Sequence, residues 1–572
     1  MERLNGIPAS PGIAIAPLFV FETADLLSVP FRRISASEVG DEWTRFIAAV
    51  KKAKEEVTAL RDKALAEAGA EQAAIFESHL LMIDDPDIRE RMEKNLAASL
   101  VNVERVLMDI EGELVDKLGQ ADDASLRERV TDIKDVSRRI LGHLLEREGP
   151  SLADLDEDAI LVARDLLPSD MISMDRARVK AVVTEAGGRT SHVAILARAF
   201  EIPAVLGVEG ALAKLRGARL AAVDGGRGIV IADPDEESLA TSAAARDAAA
   251  AQSRELAALR DLPAVTSDGE RIHVMSNIEV PEEAEGVLSH GADGVGLFRS
   301  EFLFLGGHVP DEEEQYRAYR SVIEALKGRS VTIRTLDIGG DKVLPELGAQ
   351  DEKNPLLGWR AIRFCLSRQD IFKTQLRAIL RAAVYGETRI MFPMIATVDE
   401  LDRALALVEE ARSEVLAKGR KAAVDVPVGI MIEIPGAAMT SDILARKADF
   451  FSIGTNDLIQ YTMAVDRGNE KVSYLHAPFH PGVLRLVRMT IENAKAGGIP
   501  VGMCGEMAAD PEAAIVLLGL GLEEFSMSSA SVPAVKRAIR STSLAEARSV
   551  ARAVMALSSS SEVSAYLKSR LS

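Results

Sequence analysis

The last 300 or so residues repeat one pattern, a short apolar run followed by a longer stretch with helical periodicity. Seven of the apolar runs predict strands, at 272–277, 294–298, 331–336, 389–392, 428–433, 450–453 and 501–504. A segment near 357–363 is the candidate for the eighth. Continuously apolar strands separated by helices are typical of parallel sheets covered by helices. The pattern predicts a TIM (βα)8 barrel over residues 263–572, and the alternative is a doubly wound open sheet.

The rest of the chain predicts further domains, because 572 residues are too many for one hydrophobic core. Residues 25–147 predict an inserted helical bundle. Its apolar residues recur at helical spacing in four stretches, 43–60, 75–80, 103–114 and 126–140. Residues 1–24 and 148–234 predict a single α/β domain interrupted by that insert. Its strands are expected at 160–163, 181–184, 220–223 and 229–231, joined by a β segment from residues 1–21. Residues 235–262 are Ala-rich without Gly or Pro, which predicts a linker helix and a hinge mount.

Composition excludes several classes of function. The net charge of −20 argues against non-specific nucleic-acid binding, which needs a basic surface. No apolar run is long enough to span a bilayer, and no signal peptide is recognisable at the N-terminus. The two cysteines make neither a disulfide framework nor a metal-binding spacing, which suits a reducing compartment. These features predict a cytoplasmic protein.

One histidine has neighbours that suit phosphate chemistry. An apolar run at 179–183 leads into Gly187 and Gly188, and His192 follows the helix N-cap types Thr190 and Ser191. His192 is therefore expected in the first helical turn, where backbone N–H groups and the helix dipole favour an anion. A histidine there could act as the nucleophile for a phosphoryl group, although an isolated histidine is more often a packing or surface residue.

Polar residues follow the predicted barrel strands at the end where TIM barrels carry their active sites. They are Arg299, Arg334, Arg360, Glu433, Asn456, Asp457, Arg467 and Cys504. Several arginines at one mouth suit a ligand with a phosphate and a carboxylate. Two carboxylates on adjacent strand ends, Glu433 and Asp457, suit Mg²⁺. Cys504 at the rim is a candidate proton donor, since an ordinary thiol is mostly protonated at neutral pH.

Six motifs together carry a resemblance to a known family. They are SPGIA at 10–14, GGRTSH at 187–192, GLFRSEF at 296–302, DIGGDK at 337–342, FSIGTNDL at 451–458 and GMCGE at 502–506. The chain resembles, over nearly its full length, the enzyme I family of phosphoenolpyruvate–protein phosphotransferases of the bacterial sugar phosphotransferase system. The fold that this implies is a swivelling phosphohistidine α/β domain with an inserted helical bundle, followed by a phosphoenolpyruvate-binding TIM barrel that also forms a homodimer.

The resemblance also implies a role for each matching residue. His192 would be the phosphoacceptor, modified on Nε2, and Cys504 would protonate the enolate. The residues that would bind phosphoenolpyruvate are Arg299, Arg334, Arg360, Asn456 and Arg467. Glu433 and Asp457 would hold Mg²⁺. The helical insert would dock the phosphocarrier protein HPr, with Glu71, His79, Met82, Asp85 and Arg129 near the docking face.

Three alternatives remain open at this point. A pyruvate phosphate or pyruvate water dikinase shares a phosphohistidine domain and a barrel, but it also needs a nucleotide-binding domain for which no Walker-type loop is found. A nitrogen-branch enzyme I paralogue would serve a different carrier. A non-catalytic sensor could retain the fold, although the full set of His192, arginines, carboxylates and Cys504 argues against one.

Overall fold

The structure is a computed structural model. It describes residues 1–571 except 22–28, 30, 68–69, 120–123, 146–151, 153–154, 189–190, 305–307, 340–351, 353, 467–468 and 470. The chain forms two compact units, Met1–Gln252 and Ser253–Ser572.

A mixed sheet of eight strands is central to the first unit. The strands are β1 (Glu2–Asn5), β2 (Ile7–Ser10), β3 (Ile13–Phe21), β4 (Ala159–Ala163), β5 (Val179–Thr184), β6 (Ala204–Leu206), β7 (Leu220–Asp224) and β8 (Ile229–Ala232). Their order is β1-β8-β7-β3-β4-β5-β6-β2. The first three strands therefore occupy both edges and the middle of the sheet, which confirms that residues 1–21 join a sheet completed by later strands. Strand β6, which has three residues, was not predicted from the sequence.

Five helices lie in the described part of the segment between β3 and β4. They are α1 (Val39–Glu67), α2 (Ala70–Ile83), α3 (Pro86–Ser99), α4 (Val103–Gly119) and α5 (Ala124–Leu145). Four match the predicted apolar stretches, but α3 does not. Only Met92 and Leu96 of α3 are buried, so its sequence has too little apolar periodicity to predict a helix. Its start is defined instead by Asp85, whose carboxylate caps the backbone N–H groups of Asp87 and Ile88.

The remaining helices of this unit connect the strands of the sheet and lead out of it. They are α6 (Pro168–Ser173), α7 (His192–Ala199), α8 (Ala211–Leu215) and α9 (Glu236–Ala258). Helix α9 confirms that the Ala-rich segment is helical. The sheet and the helical insert share one buried core, in which Val57 of α1 and Phe76 of α2 cluster with Leu161 and Val182.

The second unit is a closed barrel of eight strands. They are β9 (His273–Ile278), β10 (Val295–Arg299), β11 (Val331–Arg334), β12 (Thr388–Phe392), β13 (Val428–Ile432), β14 (Phe451–Ile453), β15 (Val501–Met503) and β16 (Glu524–Ser528). Every neighbouring pair is parallel, and β16 closes the barrel against β9. The barrel prediction is confirmed, and the open-sheet alternative is wrong.

The eighth strand was placed wrongly by sequence. Residues 357–363 include the end of a 3₁₀ turn and the start of a helix, whereas the strand that closes the barrel is β16. Strand β16 has two serines and only two large apolar residues, Phe525 and Met527. Ser526 is nevertheless buried, because it donates a hydrogen bond to Asn277 Oδ1 at 2.6 Å and lies against Gly296. A polar strand inside a barrel has no apolar run by which to recognise it.

Helices surround the barrel and continue beyond its last strand. They are α10 (Ala284–Ser289), α11 (Glu312–Ala325), α12 (Ala361–Ser367), α13 (Gln369–Ala382), α14 (Val398–Ala417), α15 (Pro435–Met439), α16 (Ser441–Leu444), α17 (Thr455–Met463), α18 (Pro481–Gly497), α19 (Pro511–Leu520), α20 (Val532–Arg540), α21 (Leu544–Val554) and α22 (Ser560–Leu571). Among the residues that the structure describes, no helix has the length and hydropathy that a membrane span requires.

Candidate active site

The carboxyl ends of the barrel strands carry the polar residues singled out from the sequence. Arg299 and Arg334 are the last residues of β10 and β11. Glu433 follows β13 directly, and Cys504 follows β15. Because parallel strands of a closed barrel end on the same side, these side chains share one mouth. Arg467 lies outside the described residues.

An aspartate that sequence reasoning did not single out joins two of the arginines. Asp337 Oδ2 lies 3.0 Å from Arg334 Nη1, and Asp337 Oδ1 lies 2.9 Å from Arg360 Nη2. Arg334 also contacts Glu301 at 3.2 Å, and Arg360 contacts Asp457 at 3.4 Å. The result is a buried chain of alternating charges that holds two guanidinium groups in fixed positions. Glu301 lies within the recognised motif GLFRSEF and Asp337 within DIGGDK. The motifs were therefore visible in the sequence, but no role was assigned to these two acids.

These two guanidinium groups remain fully charged in spite of their burial. Burial alone would lower the pKa of Arg334, but Glu301 and Asp337 raise it above its ordinary value. Asp337 and Asp457 do the same for Arg360. The buried Nε atoms of Arg334 and Arg360 have no hydrogen-bond partner within the described residues. Each arginine therefore keeps one donor available for an anionic ligand.

Glu433 and Asp457 form a carboxylate pair on neighbouring strand ends. Burial, together with the nearby charges of Asp457 and Asp337, raises the pKa of Glu433 well above its usual range. A Cβ at Gly454 would lie 2.9 Å from Glu433 Oε2, so only glycine leaves room for this carboxylate. A cation would relieve the repulsion between the two acids, and hard oxygen donors suit Mg²⁺. Two carboxylates fit an ion that takes its other ligands from substrate and water. No group of three or more His, Cys, Asp or Glu among the described residues could hold a metal.

Cys504 lies inside the barrel at the same end. It is buried in a cluster with Leu297, Met391, Met431 and Phe450. Its Sγ lies 3.9 Å from the carbonyl oxygen of Ile453. Burial raises the pKa of the Cys504 thiol to about 11, so the thiol keeps its proton at neutral pH.

The other two predicted ligands of this mouth are more exposed. Arg299 pairs with Glu279, a residue that the sequence did not single out. The Asn456 amide donates to Glu506 Oε1 at 3.0 Å and accepts from the Glu506 backbone N–H at 3.1 Å. These two hydrogen bonds to Glu506 fix the orientation of the Asn456 side chain.

His192 begins helix α7 in the first unit, as the sequence predicts. Ser191 is the N-cap, and its side chain accepts from the backbone N–H of Ala194. His192 Nδ1 faces Asp132 Oδ1 on helix α5 at 3.5 Å. Asp132 is a further residue that the sequence did not single out. It lies within a polar stretch of α5, where an aspartate is more often solvated than buried.

The five residues expected near a docking face have different surroundings. His79 is only 1% exposed, so it is not part of an open surface. Met82 and Asp85 are half-buried, and Arg129 is exposed. Glu71 lies in helix α2, and its side chain is outside the described residues.

Known proteins match this chain over almost its whole length. Three domain families of PEP-utilising enzymes match: the N-terminal domain over residues 5–129, the mobile domain over 155–228 and the PEP-binding domain over 253–544. The phosphoenolpyruvate-protein phosphotransferase of Bacillus subtilis (strain 168) is 45% identical over 569 residues, which is 99% of each chain. The protein of the same name from Staphylococcus carnosus (strain TM300) is 44% identical over 563 residues, 98% of each chain.

Proposed function

Because the chain belongs to the family of phosphoenolpyruvate–protein phosphotransferases, we propose that it moves the phosphoryl group of phosphoenolpyruvate to its own His192. The next acceptor is a histidine of the phosphocarrier protein HPr, and the product is pyruvate. The observation that carries this proposal is the barrel mouth, where Arg334, Arg360 and the carboxylates Glu433 and Asp457 are assembled around Asp337.

The arginines at this mouth bind the substrate. Phosphoenolpyruvate carries a phosphate and a carboxylate, and guanidinium groups recognise both through paired, charge-assisted hydrogen bonds. Arg299, Arg334, Arg360 and Arg467 are the proposed cationic ligands, with Asn456 as a polar one. Phosphoryl transfer proceeds through a loose transition state, so positioning and charge neutralisation supply most of the catalysis.

Glu433 and Asp457 are the proposed ligands of Mg²⁺. When bound, the ion neutralises phosphate charge and steadies the leaving enolate oxygen. Asp457 contacts Arg360 directly, and Glu433 lies near the charges of both Arg334 and Arg360.

Two residues of the chain carry out the bond changes. The Nε2 lone pair of neutral His192 attacks phosphorus, and the bond from phosphorus to the enol oxygen breaks. The enolate then takes a proton at carbon from the Cys504 thiol, which yields pyruvate, and the thiolate regains a proton from water. Protonation at carbon makes the transfer favourable overall.

The partners and setting complete the proposal. We propose a homodimer formed through the barrel and docking of HPr on the helical insert, near Glu71, Met82, Asp85 and Arg129, whereas the buried His79 is left out of the docking face. Both cysteines are free and buried, which suits a reducing cytoplasm. The sugar branch is preferred to the nitrogen branch on resemblance.

Incubation with phosphoenolpyruvate labelled in the phosphoryl group, with Mg²⁺, tests the assignment. We expect one labelled peptide that contains His192, with a bond that is labile to acid and stable to base. The variant His192→Ala should take up no label, and addition of HPr should remove label from the wild type. ATP-dependent labelling would favour a dikinase. An acid-labile, base-stable label from phosphoenolpyruvate in His192→Ala would refute the assignment of His192.

A further inference from the structure

One carboxylate oxygen lies between two imidazole rings in the first unit. Asp132 Oδ1 is 3.1 Å from His79 Nε2 and 3.5 Å from His192 Nδ1. His79 is on helix α2, Asp132 on α5 and His192 on α7, so three separate helices bring the groups together. This arrangement is formed only when the helical insert packs against the sheet.

Burial makes the arrangement well defined. His79 and Asp132 are 1% and 6% exposed, respectively. The ring of Phe76 meets the His79 ring edge-on, with centroids 5.5 Å apart. A buried side chain with a fixed hydrogen-bond partner loses little further freedom when it acts, which is the condition for a positioning group.

We propose that Asp132, held by His79, is a positioning residue that keeps the proton of His192 on Nδ1 and leaves Nε2 free to attack phosphorus. The proposal rests on the function proposed above. A ring nitrogen donates to a carboxylate only when it carries its proton, so the carboxylate facing Nδ1 favours the tautomer protonated there. His79 donates from Nε2 to the same oxygen and fixes the direction in which the carboxylate points.

The proton and charge balance is simple. Neutral His192 enters with its proton on Nδ1 and forms the Nε2–P bond while the P–O bond to enolpyruvate breaks. No proton leaves the ring, so the imidazole ring becomes cationic as it is phosphorylated. The charge of Asp132 then compensates the positive charge that develops on the ring. When the carrier removes the phosphoryl group, the ring returns to the same neutral tautomer.

A nearby aspartate shows that this role belongs to one position. Asp135 lies one helical turn beyond Asp132 on α5 and is also buried. Its carboxylate accepts from the Ser169 backbone N–H at 3.0 Å and from the Ser169 hydroxyl at 2.7 Å. Asp135 therefore caps helix α6, and the variant Asp135→Asn is a matched control for Asp132→Asn.

The test uses the full-length protein labelled with ¹⁵N in its eight histidines. Nitrogen chemical shifts report the tautomer of each ring, and the His192 signals are assigned by their loss in His192→Ala. In the wild type and in Asp135→Asn we expect His192 protonated on Nδ1. In Asp132→Asn we expect a shift toward the Nε2-protonated form and phosphorylation by phosphoenolpyruvate about 10²-fold slower. An unchanged tautomer in folded Asp132→Asn would overturn the proposal.

Substitution of His79 gives a second measurement that does not depend on Asp132→Asn folding. His79→Gln places an amide N–H where Nε2 donates, so we expect the wild-type tautomer and a rate within about threefold. His79→Phe fills the space without a donor, and we expect a slower reaction and a mixed tautomer. Equal tautomers and rates in the two variants would overturn the role of His79. Failure of the proposed function would appear instead as an unlabelled wild type.

Discussion

At the scale of single residues, the barrel mouth depends on guanidinium geometry as well as on charge. Arg334 reaches Glu301 with Nη2 and Asp337 with Nη1. A lysine keeps the charge but cannot span two acids with one planar group. We expect Arg334→Lys to lower the free energy of unfolding of the second unit by about 3 kcal/mol, because a buried acid loses its partner. We also expect it to raise the KM for phosphoenolpyruvate at least tenfold.

Arg389 supplies the control for Arg334→Lys. It too is an arginine of a barrel strand, although half-buried, and it pairs with Glu524 at 3.0 Å. Arg389 is the second residue of β12 and therefore lies at the amino end of the strand, away from the mouth. Arg389→Lys should therefore cost stability without changing KM. Equal effects of both variants on KM would show that Arg334 acts only through stability.

The thiol of Cys504 gives a prediction with a defined pH range. Its pKa of about 11 means that the proton donor is intact at neutral pH and is lost only as the pH rises toward that value. Pyruvate release limited by this step should be independent of Cys504 ionisation between about pH 7 and 9, and should fall above that range. Cys504→Ala should release pyruvate about 10²-fold more slowly while His192 is still labelled.

Cys365 is the matched control for this measurement. It is also a buried free thiol of the barrel unit, but its Sγ contacts the carbonyl oxygen of Leu336. Cys365→Ala should leave pyruvate release unchanged. If Cys504→Ala released pyruvate at the wild-type rate, another group would have to supply the proton.

At the scale of secondary-structure elements, one lysine attaches helix α20 to two loops. Lys536 is 2% exposed and donates to the carbonyl oxygens of Arg260, Leu262 and Gly291 at 2.9, 2.9 and 2.5 Å. Lys536→Met fills a similar volume but leaves three buried carbonyls unpaired. We expect a loss of about 3 kcal/mol in the free energy of unfolding, measured by urea denaturation. Lys495→Met, which removes an exposed pair with Glu523, should cost less than about 0.5 kcal/mol.

The elements that sequence could predict are those whose apolar residues repeat with a clear period. Strands such as β13, buried along its whole length, were predicted because every residue faces other apolar groups. Helix α3 and strand β16 were missed because a capping residue in the first and a buried serine in the second, rather than apolar periodicity, define them. The site shows the same division. Residues that follow strand ends could be predicted, whereas Asp132 comes close to His192 only through the packing of three helices, which no local pattern reports.

At the scale of the whole molecule, each compact unit has its own hydrophobic core. The barrel unit has one large core cluster and a small one around Cys504, and the first unit has three clusters formed by its sheet and helices. A chain with independent cores is not expected to unfold in one cooperative step. We therefore predict two transitions in urea. The two tryptophans report them separately, because Trp43 lies in the first unit and Trp359 in the second.

Ligand binding should then act on one transition alone. Phosphoenolpyruvate with Mg²⁺, at about 100 times its Kd, should stabilise the unit that binds it by about 2.7 kcal/mol. In a Trp43→Phe variant the remaining fluorescence comes from Trp359, and its transition should move to higher urea. In a Trp359→Phe variant the Trp43 transition should stay in place. Adding Arg334→Lys to Trp43→Phe should remove most of the ligand-induced shift of the Trp359 transition. A single transition that both tryptophans follow, and that ligand shifts as one, would show that the two cores unfold together.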